Sequence, residues 1–131
     1  MKALLLVALG GGAGAALRYL LGRVLAGPAV ATGWPFGTFA ANIAGGLAMG
    51  LLVGWLTARV GTVSDNGENL RLLLGVGLLG GFTTFSAFSL EMALMIERGQ
   101  AMLAIAYAAA SVLLALFALF AGLWISRGVF A

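Results

Sequence analysis

The side chains able to do chemistry in this chain are few, and they lie inside apolar runs. Thr38 and Asn42 stand one helical turn apart, with Gly46 continuing their face. Tyr107 and Ser111 repeat that spacing further on. Between them in sequence lies Gly80-Gly81-Phe82-Thr83-Thr84-Phe85-Ser86-Ala87-Phe88-Ser89, which interleaves glycines, hydroxyls and aromatic rings. Arg18 and Glu91 stand near the ends of apolar runs, and no acid falls in the middle of one. The chain has no Cys and no His, which excludes disulfides, thiol catalysis, zinc sites and His general bases. What remains are hydroxyl and amide donors together with ring edges, and aromatic edges are electropositive. Such groups attract an anion without holding it irreversibly, as a conducting pore requires. Cation selection would more naturally use rings of carboxylates. Phe85 and Phe88 lie three apart and share a face. Most such pairs are core or lipid-facing packing, but their alternation with Ser86 and Ser89 favours a pathway.

The elements that must position these residues follow from composition. Of 131 residues, 63% are hydrophobic and 8% charged, and the mean hydropathy is +1.13. A soluble domain carries about 25% charged residues, so the chain reads as a small polytopic membrane protein. Residues 1–131 form a single transmembrane domain with spans at about 3–25, 36–57, 70–96 and 101–125. The connections are a Gly/Pro stretch at 26–35, a polar turn at 64–69 and a short one at 97–100. In the polar turn, Asp65 and Glu68 are spaced like a helix N-cap and its N3 partner. Trp34, Trp55 and Trp124 sit near span ends, as interfacial anchors do. The third span is too long, because a straight helix over 70–96 reaches about 40 Å. Tilt absorbs some of that. The Gly80-Gly81 pair followed by β-branched Thr83 and Thr84 predicts a break instead. A break exposes backbone groups at mid-membrane, tolerable only where they line a cavity or bind an ion.

Other readings of the same residues fail. Lys2, an apolar run and Ala13-Gly14-Ala15 imitate a cleaved signal peptide, yet apolar character continues to Leu21, so the first span reads as a retained helix. Gly10-Gly11-Gly12-Ala13-Gly14-Ala15 satisfies a dinucleotide fingerprint, but the next acid is Asp65, too distant for the ribose contact. The glycines have a better use. Gly10 and Gly14, Gly46, Gly50 and Gly54, and Gly77 and Gly81 are spaced by four, which lets helix backbones approach closely in lipid. With the N-terminus inside, Lys2, Arg59, Arg71 and Arg127 face Arg23 and Arg98 across the membrane, with Arg18 deeper in the first span, a weak bias. It is compatible with insertion in both orientations or in one. The net charge of +3 implies nothing about nucleic acid.

Read with these motifs, the sequence resembles the Fluc fluoride channels, also called the CrcB family. The resemblance is carried by Gly10-Gly11-Gly12-Ala13-Gly14-Ala15-Ala16-Leu17-Arg18-Tyr19, by Trp34-Pro35-Phe36-Gly37-Thr38-Phe39-Ala40-Ala41-Asn42, and by the Gly80-to-Ser89 stretch continued through Leu90-Glu91. It covers essentially the whole chain. It implies an all-α membrane protein with four transmembrane helices per subunit and a break in the third, paired as an antiparallel dual-topology homodimer. It further implies a fluoride-selective ion channel, not an enzyme, exporting fluoride passively across the cytoplasmic (inner) membrane of a bacterium and lowering fluoride toxicity. Carried over by motif, Phe85 and Phe88 are the pore phenylalanines and Asn42 is the polar residue near them. Thr84, Tyr107 and Ser111 belong to a hydroxyl track, and Arg18 to a wide aqueous entrance. Gly80 and Thr83 offer backbone carbonyls to a structural sodium ion at the dimer centre. Ala115 stands where the family often has a further hydroxyl. The implied partners are fluoride, an identical subunit and membrane lipid, with no nucleic acid.

Physical chemistry accommodates that reading. Fluoride is small and strongly hydrated, so its dehydration must be offset by several donors or ring edges. A negative-inside membrane drives an anion outward by about 2.3 kcal/mol per 100 mV, with no coupling required. Two other classes compete. A small drug/proton antiporter needs a carboxylate inside the first helix, and 3–25 contains none. A structural subunit of a larger complex would carry no anion flux alone.

Overall fold

The computed structural model describes residues 1–59 and 65–130. Four stretches are helical, long and apolar enough to cross a membrane: Lys2–Val24, Phe36–Ala58, Asn66–Glu97 and Ala101–Val129. Helix α1 (Lys2–Val24) runs through its glycines without interruption, because packing overrides their poor helix propensity. After it, the Gly/Pro connection expected to be irregular contains a short helix, α2 (Ala26–Thr32). Pro28 lies in its first turn, where a missing N–H costs nothing. The Thr32 hydroxyl donates back to the Pro28 carbonyl at 2.9 Å, and Gly33 ends the helix at φ 73°.

Helix α3 (Phe36–Arg59) packs along α7 (Ala101–Phe130). The Gly46, Gly50 and Gly54 stripe makes this approach possible. A Cβ at Gly46 would lie 2.6 Å from the Ala115 carbonyl, and one at Gly50 would collide with that of Leu119. Gly122 reciprocates against Leu47. The last helix continues to Phe130, beyond the end read from sequence at 125.

The third span is composite. Helix α4 (Asp65–Leu70) leads into a π-helical run, Arg71–Leu79, and then into one turn, α5 (Gly80–Phe82). At the end of the run the Gly80 N–H reaches back five residues to the Gly75 carbonyl. Residues 83–85 are not helical, Thr83 being extended at φ −80°, ψ 159°, and α6 (Ser86–Glu97) begins beyond them. The interruption therefore falls past the Gly80-Gly81 pair, which is itself helical and not the break that the sequence put there. The interruption lets one span change partners. The run and α5 lie on α1, where Gly10 and Gly14 admit Gly77, Leu78 and Phe82, whereas α6 lies on α7. The side chain of Asp65, expected to cap with Glu68, falls outside the described residues, and Glu68 pairs with Arg71 at 2.8 Å.

Burial concentrates where α6, α7 and the start of α3 meet. Phe88, Met95, Ala104 and Tyr107 form a cluster there, joined by Trp34 and Phe39. Trp34 is thus an inward-packed ring rather than the anchor its position at a span end suggests. It meets Phe39 and Tyr107 edge-on, with centroids 5.4 Å away in each case. Trp124 is 80% exposed, as an anchor should be. Leu5, Leu9, Leu17, Leu113, Phe117 and Phe120 are exposed along α1 and α7, a surface suited to lipid or to another protein rather than to water.

Candidate functional site

The break in the third span redistributes backbone hydrogen bonds, several of them to side chains. In a continuous helix the Thr84 N–H would serve the Gly80 carbonyl. Here it donates to Asn42 Oδ1 at 2.9 Å, while Asn42 Nδ2 donates to the Thr84 carbonyl at 3.2 Å. The Ala87 N–H, which would serve the Thr83 carbonyl, goes to Thr84 Oγ1 at 3.2 Å. Arg18 Nε donates to the Gly81 carbonyl at 3.2 Å. The Thr83 N–H and hydroxyl both reach the Leu79 carbonyl, at 3.0 and 2.9 Å. The carbonyls of Gly80 and Thr83 thus lose their regular helical donors. Neutral oxygens freed in this way fit a hard cation of low charge, although two of them fall short of the number such an ion takes. Among the described residues no cluster of acids or imidazoles offers a metal site instead.

Beside the break lies a cavity of about 240 Å³. Asn42 from α3, Thr83, Thr84 and Phe85 from the break, Phe88 from α6, and Ser111 with Val112 and Ala115 from α7 line it. Five of the six residues read from sequence as a pathway therefore converge here from separate elements. The Phe85 and Phe88 rings are 5.7 Å apart and tilted by 39°. Phe88 is 8% exposed and Phe85 79%. Ser111 is 4% exposed, and the Tyr107 hydroxyl lies within its reach. No lining residue is charged. Chemically this is an uncharged pocket of hydroxyls, a carboxamide, phenyl rings and methyl groups, with nothing in its lining to repel an anion.

Tyr107, the sixth, stands behind Phe88 with centroids 5.3 Å apart. Its hydroxyl donates to Glu91 Oε2 at 2.7 Å, and the Thr38 hydroxyl donates to Glu91 Oε1. This carboxylate between two hydroxyls was not among the residues singled out as a site. Only its place in the third motif hinted at it, since its partners come from two other helices. Arg18 lines a separate crevice of about 350 Å³ with Tyr19, Arg23 and Thr38. Thr38 therefore faces the basic crevice and also touches the Glu91 cluster.

Known proteins bear on this geometry. The family model described as CrcB-like protein, Camphor Resistance (CrcB), matches residues 5–123. A protein of Phenylobacterium zucineum is 62% identical over 131 residues, covering the whole of both chains. One of Caulobacter vibrioides is 56% identical over the whole of both chains. One of Novosphingobium aromaticivorans is 56% identical over 98% of this chain and 99% of its own. Each of these bacterial relatives bears the name fluoride-specific ion channel FluC, a transport protein and not an enzyme. A match over nearly the full length, in a chain with four membrane-type helices among its described residues, leaves one assignment: the chain belongs to the CrcB family.

Proposed function

We propose that this protein is a fluoride-selective channel that lets fluoride leave the bacterial cytoplasm passively across the inner membrane. The observation that carries the reading is the cavity: Asn42, Thr84, Phe85, Phe88 and Ser111 meet there, the Ser111 hydroxyl buried, with no charged side chain in the lining. Its donors replace hydration, and the ring edges add positive potential without a fixed charge that would trap the ion. Arg18 and Arg23 in the neighbouring crevice raise the local anion concentration at an entrance.

The same reading includes a second copy, antiparallel to the first. Phe85 is too exposed within one subunit for a ring that lines a pathway, and the freed carbonyls of Gly80 and Thr83 are too few for an ion. An identical subunit would cover the ring and double the oxygens. A sodium ion held there supplies fixed positive charge and ties the two interrupted spans together. The weak charge bias across the membrane supports insertion in either orientation.

The test is flux through the purified protein in liposomes under a potassium-driven voltage. Fluoride efflux followed by electrode should be fast, with little chloride flux and no need of a proton gradient. Equal fluoride and chloride currents would make it a general anion pore. Strict proton dependence would make it an antiporter, and no flux at all a packing subunit.

A further inference from the structure

We infer that Asn42 is a positioning residue: its carboxamide holds both backbone groups of Thr84, and this clasp sets the interruption of the third span and the placement of Phe85. A carboxamide has the donor and acceptor pattern of a peptide group. Asn42 uses it as a strand would, accepting from the Thr84 N–H at 2.9 Å and donating to the Thr84 carbonyl at 3.2 Å. Both bonds join α3 to a residue 42 positions away. Without them the regular partner of the Thr84 N–H is the Gly80 carbonyl, and that bond carries α5 on toward α6. Phe85 is the next residue and turns with Thr84. Its carbonyl accepts from the Ser89 N–H and hydroxyl, at 2.9 Å each, but its ring has little to hold it within the subunit, being 79% exposed with Phe88 as its one ring contact among the described residues.

Thr84 reinforces the arrangement, its own hydroxyl accepting from the Ala87 N–H at the start of α6. Arg18 does comparable work from α1 on the Gly81 carbonyl. Hence two neighbouring helices, through one side chain each, hold the interrupted segment by its backbone. The second N–H of the Asn42 amide is left over, so the clasp is compatible with a direct contact to an ion in the cavity. It is not required for the clasp.

The consequence for conduction rests on the channel reading above, whereas the clasp stands or falls without it. The experiment is therefore done in liposomes free of fluoride, by solid-state NMR on uniformly 15N-labelled protein carrying a 19F label on its phenylalanines. In the wild-type protein the Thr84 amide, although outside any helix, should exchange as slowly as the amides of α6. Exchange at the rate of an open loop overturns the inference. In Asn42→Ala the Thr84 amide signal should leave its wild-type position and the Phe85 fluorine signal should shift with it. If both stay in place while fluoride flux falls, Asn42 acts on the ion alone and the inference is wrong. Asn42→Asp keeps the acceptor but replaces the donor to the Thr84 carbonyl by an oxygen, so the Thr84 amide and Phe85 fluorine signals should move here too, and their staying in place would also count against the clasp. Failure of the wild-type protein to pass fluoride would sink the channel reading and leave these signals to be judged separately.

Discussion

Replacing Phe85 by Ile and, separately, Phe88 by Ile sets two accounts of the same rings against each other. Ile keeps much of the apolar volume and removes the quadrupole. If the rings only pack, the structure ranks the two variants. Phe88 is 8% exposed and touches two rings, Phe85 at 5.7 Å and Tyr107 at 5.3 Å. Phe85 is 79% exposed and has Phe88 as its one ring partner among the described residues. Each aromatic pair is worth about 0.5–1.5 kcal/mol, and a volume-conserving swap at a buried site costs up to about 1.5 kcal/mol more. Phe85→Ile should then cost about 1 kcal/mol and Phe88→Ile about 2–4 kcal/mol. Conduction per folded protein would be unaffected by either. If the ring edges meet the anion, both variants should instead lose at least about tenfold in fluoride flux, a barrier increase of about 1.4 kcal/mol. That loss would not follow the stability ranking. Fluoride efflux and thermal stability are measured on the same size-exclusion fractions. Unchanged flux in both variants, or a loss confined to Phe88→Ile and proportional to its destabilisation, would refute the pathway reasoning.

Gly50→Ala puts a methyl group against the Leu119 carbonyl and should force α3 from α7, costing about 1–3 kcal/mol, whereas Gly12→Ala meets nothing within 4 Å inside α1 and should hold or raise the melting temperature. Asn42→Asp sets a carboxylate in the cavity wall and should nearly abolish fluoride efflux while the protein still elutes as folded. Tyr107→Phe keeps the ring on Phe88 but leaves Glu91 with Thr38 alone, which should lower stability by about 1–3 kcal/mol in thermal unfolding. Reporters fused to the C-terminus and active on one side of the membrane only should both give signal in a single population, and a single orientation would remove the antiparallel pairing.

Much of the fold was legible because it is written in one dimension. Hydropathy marks the spans, and the glycines spaced by four mark the faces that touch, as Gly46, Gly50 and Gly54 do against α7. The short helix α2 was hidden because Pro28 reads as a breaker unless it is known to occupy a first turn. The interruption of the third span was read from excess length and placed on Gly80-Gly81. Its real position depends on Asn42, a residue on another helix, drawing the Thr84 N–H away from the Gly80 carbonyl. No local signal carries that. The site shows the same division. Residue types pointed to Asn42, Thr84, Phe85, Phe88 and Ser111, and the fold brings them to one cavity. The union of Thr38, Glu91 and Tyr107 joins three helices and has no counterpart in spacing. Trp34 shows the reverse error, since its place at a span end suggested an anchor and packing against Phe39 and Tyr107 turned it inward.

The central claim is that the ion passes through the cavity beside the break, and the absence of cysteine from the chain permits a direct test. Ala115 lines that cavity without offering a donor. In Ala115→Cys, fluoride efflux from liposomes is recorded before and after reaction with a small anionic methanethiosulfonate, with labelling followed by mass spectrometry. The account predicts that efflux stops as the thiol is modified and returns when a reductant removes the adduct, while the cysteine-free parent is indifferent to the reagent. Complete labelling at position 115 with efflux unchanged would contradict it.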